Sequence, residues 1–331
     1  MNSSWSTIRS RASARAGANI ALVKYWGKRD PALNLPATGS LSITLDELWT
    51  ETTVTALNQA GADRLTINGQ EADAERVSGF IDLFRALATT DQRFFVESTN
   101  SFPTAAGLAS SASAFAALAL AMNAVLDLNL PADRLSELAR RGSGSAARSI
   151  FAGFVEMQRG QRDDGRDSVA HPLASVEHWP LRVVVAVTSR EAKSVSSTLG
   201  MNHTVETSPY YPAWVDQVEG DLEGARSAIR RRDFAALSEV SEASALAMHA
   251  SAMAARPGVI YFSPATLACM RAVRALREEG VSVFFTIDAG PQLKAVCLAE
   301  DEERVAEALG QVAGVRGLIR TGLGPGAREV E

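Results

Sequence analysis

Four short polar stretches interrupt the apolar patterning of this chain, and their residue types are those that handle anions. The first is NIALVKYWGKRD at 19–30, where Asn19, Lys24, Tyr25 and Lys28 punctuate an apolar strand. Lys24 shares a strand face with Ile20 and Leu22 on simple alternation, so its ammonium occupies a place where a core residue is expected. Either the two lysines face an anionic substrate, or the strand is an edge with lysines drawn out to solvent. The second stretch, PTAAGLASSASAF at 103–115, runs a loop of small residues into an alanine-rich helix. A helix start exposes backbone N–H groups and partial positive charge. Small side chains let a phosphate approach them. A serine-capped turn packed on a neighbouring strand would have the same composition.

The third stretch is GSGSAARS at 142–149, a second glycine/serine helix start. Ser145 and Arg148 are three residues apart and share a helix face. A guanidinium there suits bidentate capture of a carboxylate or phosphate; the commoner fate of an arginine is the surface. The fourth is FFTIDAGPQ at 284–292, in which Asp288 follows a strongly apolar strand. A half-buried carboxylate at that place needs partners and has a shifted pKa. The competing reading is a turn-forming aspartate bonded to its own backbone.

What is absent narrows the chemistry. The serine loop lacks the lysine of a Walker loop and is not GxGxxG. His171, His178, His203 and His249 have no metal-ligand spacing, Cys269 and Cys297 have no CxxC partner, and no GxSxG elbow occurs. Zinc, thiol and serine-hydrolase chemistries are therefore disfavoured. The chain has 331 residues, 46% of them hydrophobic and 21% charged, with a net charge of −5. General affinity for nucleic acid or an anionic membrane is not indicated, so any basic site is local. Both cysteines sit in apolar patterns and read as buried free thiols of a reducing compartment. No run has the length of a transmembrane helix. Arg9, Arg11 and Arg15, with no acid before Asp30, give the start the composition of a transit peptide. A motif-bearing strand begins near Ala14, however, and the start reads as the ordered or frayed first segment of a cytoplasmic protein.

The elements that must position these stretches follow from periodicity. Strands are expected at 16–26, 41–56, 64–68, 93–98 and 153–158, with helices at 73–88, from the serine loop onward, and at 132–141. Residues 159–170 read as a polar loop or hairpin. The second half has strands at 181–188, 281–287, 293–298 and 315–320, and helices at 209–231, 233–254, 264–279 and 301–312. Ignoring the inserted helices, that order is β-α-β-β-α-β, the ferredoxin-like split βαβ. The expected architecture is α+β in two domains, 1–185 and 186–331, with a ligand in the cleft between them.

Together the strings NIALVKYWGK, FPTAAGLASSASAF, RRGSGSAARSIF and TIDAGP resemble the diphosphomevalonate decarboxylases of the GHMP kinase superfamily. LPATGSLSITL at 35–45, SSTLGMNHTVETSPYY at 196–211 and AMHASAM at 247–253 add weaker support, and the similarity spans almost the whole chain. The departures, Asn100-Ser101 before Phe-Pro, SSASAF in the serine loop and Ala147 before the arginine, are small and add no charge. The resemblance implies a two-domain α/β GHMP kinase fold with a left-handed βαβ-type nucleotide site and a ferredoxin-like second domain. It implies ATP and Mg²⁺, a homodimer, and conversion of (R)-5-diphosphomevalonate to isopentenyl diphosphate, ADP, phosphate and CO₂.

The resemblance also implies roles. Asp288 would orient or deprotonate the 3-hydroxyl and stabilise a cationic C3. Lys24 would stabilise the transferring phosphoryl group, and Arg148 would hold the substrate carboxylate. Ser111, with Ser110, would bind phosphates; Pro103, Ala105, Gly107, Leu108 and Ala109 would complete the nucleotide loop. Asn19, Tyr25, Lys28, Ser143, Gly144 and Ser145 would engage the substrate, with Arg76 as a further diphosphate contact. No metal ligand is assigned. A kinase that phosphorylates without decarboxylating, an enzyme acting on the 5-monophosphate, and a non-catalytic sensor using the same cleft are the competing readings.

Overall fold

A computed structural model describes residues 8–58, 61–102, 110–191 and 193–331. The strands of the first half are β1 (Arg11–Val23), β2 (Lys28–Asp30), β3 (Leu35–Pro36), β4 (Ser40–Ala56), β5 (Arg64–Ile67), β6 (Gln70–Ala72), β7 (Phe94–Asn100), β8 (Phe154–Met157) and β9 (Ala170–Ala174). Its helices are α1 (Glu75–Ala88), α2 (Ser110–Val125), α3 (Ala132–Gly142) and the short α4 (Ala146–Ser149). The second half runs β10 (Arg182–Ala186), α5 (Ser197–Thr207), α6 (Tyr211–Arg231), α7 (Phe234–Met253), α8 (Pro264–Glu278), β11 (Val283–Ile287), β12 (Leu293–Cys297), α9 (Glu302–Gly310), β13 (Leu318–Gly322) and β14 (Arg328–Val330).

An eight-stranded sheet is built on the path β14-β1-β4-β7-β5-β6, with β8 and β9 continuing from the first part of β4. Strand β4 is long enough to pair with β8 at Ser40–Ile43 and with β7 at Thr50–Ala56 along one side, while β1 fills the other. The parallel pair in this sheet is β5 with β7, joined through the crossover helix α1. The second sheet is four-stranded and antiparallel, in the order β11-β12-β10-β13. With α8 and α9 as its crossovers, this is the ferredoxin-like order expected from the sequence. The boundary expected at 185 falls inside β10, all five residues of which pair in this second sheet. Strand β14, close to the last residue, returns to pair with β1 in the first.

Burial explains the layering. Phe80, Ile81, Phe84, Ala117, Leu118 and Met122 join α1 and α2 to one face of the first sheet. Helices α6 and α7 lie between the two sheets, and Trp214, Val218, Leu222, Leu237 and Met248 pack against Ile20, Leu22 and Ile43 on one side and Val183, Phe284 and Val296 on the other. Helices α8 and α9 cover the remaining face of the second sheet through Cys269, Val273, Val305 and Leu309. Both cysteines are buried free thiols, and burial pushes them up to about 11 and about 12. Helix α8 starts where the sequence says it should, with Ser263 and Thr266 forming a reciprocal capping box ahead of Pro264. Among the described residues no helix is long and apolar enough to cross a membrane.

Strand β1 departs from simple alternation, with consequences for the site. Its register against β4 shifts between Gly17 and Asn19 and again between Ala21 and Val23. A Cβ on Gly17 would stand 2.2 Å from the Leu45 carbonyl oxygen, so only glycine allows the close approach. Before the first shift, Ala14 and Ala16 face α2; after it, Ala18, Ile20 and Leu22 face α6 and α7. Asn19 and Ala21 thereby line the cavity instead. A one-residue slip moves every following side chain to the opposite face. Lys24 consequently does not share a face with Ile20 and Leu22: it lies past the second shift and the end of the strand, on the cavity side. Strand β14 flanks β1 only at Ser13–Arg15, but Lys24 is not drawn out to solvent as an edge lysine would be, because its ammonium is buried on Asp288 and the Ala21 carbonyl.

Phe284 is fully buried between the sheets, its ring centroid 5.5 Å from that of Phe234. Phe284→Ala is expected to cost about 3–5 kcal/mol. A urea unfolding midpoint unchanged from the parent would show that the inter-sheet layer does not hold the two sheets as described.

Candidate active site

The ends of β1 and β11, the start of α4, the first described turn of α2 and the start of α5 surround a cavity of about 860 Å³. Its described lining carries Lys24, Lys28, Arg76, Arg141, Arg148 and Lys193, against a single carboxylate, Asp288. In a chain of net charge −5 this is a concentrated local excess of positive charge. Such a wall suits a ligand with several negative groups.

Asp288 is the first residue after β11. The Gly290 N–H donates to its backbone carbonyl at 2.7 Å, so the turn is closed by main chain and the carboxylate is left for other partners. Lys24 Nζ donates to Asp288 Oδ1 at 2.7 Å and to the Ala21 carbonyl at 2.8 Å. Lys294 Nζ lies 3.1 Å from Oδ2. Burial disfavours the charged carboxylate, but the Lys24 and Lys294 ammonium groups outweigh it and hold Asp288 well below the usual range. Burial pushes Lys24 down to about 8, against the pull of Asp288. The lysine does not reach solvent: the residue is 2% exposed.

Helix α7 braces this pair from behind. Ser244 Oγ accepts the Lys24 backbone N–H at 3.1 Å, and Thr286 Oγ1 donates to the Ala21 carbonyl at 3.0 Å. His249 Nε2 donates to the Ile287 carbonyl at 3.2 Å. Burial and the nearby Lys24 push this imidazole down to about 3, so it is a neutral donor that fixes the backbone just before Asp288.

Arg148 is a further buried charge, and no carboxylate pairs with it among the described residues. Its guanidinium donates to Ser42 Oγ at 2.9 Å, Ser40 Oγ at 2.6 Å and Asn19 Oδ1 at 3.1 Å. Asn19 Nδ2 donates in turn to the Ser145 carbonyl at 2.9 Å and Ser149 Oγ at 2.8 Å. Burial lowers Arg148 to about 10, which leaves it charged at neutral pH. A buried cation held only by neutral acceptors favours an incoming anion. The surface reading of Arg148 and the turn-forming reading of Asp288 both give way to this geometry.

The remaining candidates lie on the same wall. Ser111 is exposed to the cavity and its Oγ is 3.2 Å from Ser143 Oγ, with Ser145 Oγ a further 3.5 Å on. A Cβ on Gly144 would stand 2.2 Å from Tyr25 Oη, so this glycine admits the ring of Tyr25. Burial raises the Tyr25 hydroxyl well above its ordinary range. Arg76 donates to the Gly142 carbonyl at 2.8 Å over the ring of Phe115, and Lys28 is lowered by burial and by Arg76. Ser110 also lines the cavity. Pro103, Ala105, Gly107, Leu108 and Ala109 lie outside the described residues.

Sequence reasoning missed Lys294, Lys193, Ser244 and His249. Lys294 had a signal, a lysine inside the apolar run LKAVCL, of the same kind that flagged Lys24. Lys193 had none; it donates to Ser197 Oγ at 2.7 Å and to the Ala289 carbonyl at 3.1 Å, tying the start of α5 to the turn after Asp288. Among the described residues no three His, Cys, Asp or Glu side chains converge as a metal cage.

Comparison with known proteins finds relatives along nearly the whole chain. Residues 16–170 match the diphosphomevalonate decarboxylase-like N-terminal domain, and residues 183–319 match the mevalonate 5-diphosphate decarboxylase C-terminal domain. The diphosphomevalonate decarboxylase of Candida albicans is 36% identical over 352 residues, covering 96% of this chain and 97% of that protein. The mevalonate diphosphate decarboxylase of Staphylococcus aureus superposes with a TM-score of 0.92 at 39% identity, covering 97% of this chain and 98% of the other. A structure described as MDDEF in complex with MVAPP, AMPPCP and magnesium superposes with a TM-score of 0.91 at 42% identity, covering 97% and 99%. The fold is that of the GHMP-type decarboxylases, α+β in two parts. With both halves matched and relatives similar along nearly the full length, this chain belongs to the diphosphomevalonate decarboxylase family.

Proposed function

We propose that this chain converts (R)-5-diphosphomevalonate and ATP to isopentenyl diphosphate, ADP, phosphate and CO₂. The observation that carries this reading is that Asp288, the single carboxylate of the described cavity lining, is ion-paired with Lys24 and Lys294 opposite a buried Arg148 that has no acidic partner among the described residues. A carboxylate, a diphosphate and a tertiary hydroxyl on one small molecule call for that combination.

Arg148 takes the substrate carboxylate, with Asn19, Ser40 and Ser42 fixing the plane of its guanidinium. Lys28, Arg76, Tyr25 and the Ser143–Gly144–Ser145 turn take the diphosphate. Ser110, Ser111 and the loop 103–109 before them take the phosphates of ATP, and Lys24 meets the transferring phosphoryl group. Asp288 accepts a hydrogen bond from the 3-hydroxyl, whose oxygen bonds the terminal phosphorus as the bond to ADP breaks; the hydroxyl proton passes to an oxygen of the transferring phosphoryl group, so Asp288 stays anionic. Phosphate then departs from C3 with the C–O electron pair. The anionic Asp288 faces the positive charge that builds there, and the pair of the bond to the carboxylate closes the alkene as CO₂ leaves. Such a reaction rests on positioning and electrostatics rather than a covalent nucleophile.

The lack of an acidic cage among the described residues fits magnesium that travels with phosphates, since this ion keeps waters and phosphate oxygens as ligands. The Ser110 and Ser111 hydroxyls are the groups that would complete its shell, and its charge offsets that of the phosphoryl group. The resemblance further supports a homodimer, and the buried free thiols support the cytoplasm; the division into two domains expected at 185 is better drawn ahead of β10, all of which pairs in the second sheet.

Purified protein given ATP, Mg²⁺ and diphosphomevalonate should release phosphate and CO₂ in equal amounts, and should turn over the 5-monophosphate poorly. ADP without CO₂ would instead identify a kinase, and binding without turnover a sensor. Asp288→Asn should lower kcat by about 10³-fold while ATP binding persists; near-parental turnover would remove Asp288 from the chemistry. Arg148→Ala should weaken substrate binding by about tenfold or more, the scale of a lost charged hydrogen bond. Full substrate affinity in that variant would sink the carboxylate assignment.

A further inference from the structure

Lys294 occupies a place that its strand reserves for the core. It lies on β12, between β11 and β10, opposite Thr286 on one side and Val185 on the other. Its strand neighbours Leu293, Ala295 and Cys297 pack against α8 and α9, and Val296, two residues on along its own face, packs against α6 and α7. The residue is 3% exposed, and its ion-pair partner is Asp288. A buried ammonium carries a desolvation cost that an apolar side chain of similar length would avoid. Packing alone therefore gives no reason for a lysine here.

We propose that Lys294 is a positioning residue for the reaction, the resident counter-ion that holds Asp288 anionic and fixed by its Oδ2 while Lys24 is engaged with the transferring phosphoryl group. This rests on the function proposed above. Lys24 is asked to serve two anions, since its ammonium bonds Asp288 Oδ1 in the free site and also faces the incoming phosphates. Once it turns to phosphate, Asp288 keeps a cation at 3.1 Å through Lys294. Without that second cation, the carboxylate would keep only Lys193 and Arg148, neither of which is ion-paired with it, and become free to turn.

Among the described residues the titratable groups that face Asp288 are few. They are Lys24 at the end of β1, Lys294 on β12, Lys193 ahead of α5, His249 on α7 and Arg148 on α4. Neutral His249 contributes no charge at working pH. Removing the Lys294 charge therefore raises the Asp288 pKa, and the acidic limb of the kcat profile moves to higher pH.

The test uses full-length Lys294→Met, with Lys294→Gln as a polar neutral control and Lys294→Arg as the rescue, each checked for a cooperative thermal melt. In Lys294→Met and Lys294→Gln, kcat should fall by about tenfold and the acidic limb should rise by about one pH unit or more, with KM for ATP and diphosphomevalonate within about twofold. Lys294→Arg should restore most of both. Carboxyl NMR of protein carrying ¹³C-labelled aspartate, with Asp288 assigned by its loss in Asp288→Asn, should show the Asp288 titration moving up in the neutral variants. An unmoved titration and profile would overturn the proposal, as would a raised KM with parental kcat, which would make Lys294 a substrate ligand. The NMR titration reads Lys294 and Asp288 without any turnover, so it stands even if the parent lacks decarboxylase activity.

Discussion

The structure turns on the ion pair between Lys24 and Asp288, residues 264 positions apart that meet at 2.7 Å. One lies just past β1 of the first sheet and the other just past β11 of the second. A charge pair this deep is costly to assemble and costlier to leave half made. The backbone around it is accordingly cross-braced, with Thr286 and the Lys24 ammonium both donating to the Ala21 carbonyl and Ser244 accepting the Lys24 N–H. Positioning of the reactive carboxylate and alignment of the two sheets are therefore one constraint rather than two.

Helices α6 and α7 make that constraint affordable. Their apolar residues fill the space between the sheets, so the pair sits at the rim of a large apolar layer and not on a mobile hinge. On the cavity side the opposite economy holds. Arg148 is buried among neutral oxygens, Lys24 is lowered by burial, and the described lining carries a single carboxylate. Charge left without full compensation in the free protein is the form in which a site for a polyanion is stored. The folded chain accepts that strain locally because the rest of the core is well packed.

Much of the fold could be read directly. The β-branched runs, the Ser263–Pro264 helix start and the 3.6-residue spacing of Phe80, Ile81 and Phe84 announce their elements, because local preference and burial agree there. The second sheet follows from element order alone. Helix α5 was not legible, since STLGMNHTVET has no apolar stripe and its start is marked only by Ser196, which accepts from the Leu199 N–H. Strand β14 was not legible either, because three residues carry too little pattern and its partner β1 is more than 300 positions away. The shared face assigned to Lys24, Ile20 and Leu22 failed for a different reason. Strict alternation ignores a bulge, and the register shift between Ala21 and Val23, with the strand ending at Val23, separates Lys24 from Ile20 and Leu22.

The sequence by itself determined which residue types are available for chemistry: lysine, arginine, serine and aspartate in four stretches that hold no cysteine or histidine, and a family resemblance running through all four. Side-chain type is a local property, and so is the small-residue composition that lets a phosphate approach backbone. Only the tertiary structure decided which charges compensate one another. Lys294 and Lys24 converge on Asp288, while Arg148 is left to neutral acceptors. That outcome depends on distances of a few ångströms between strands far apart in the chain. Electrostatic energy falls with such distances and with burial, and neither is written in the residue types.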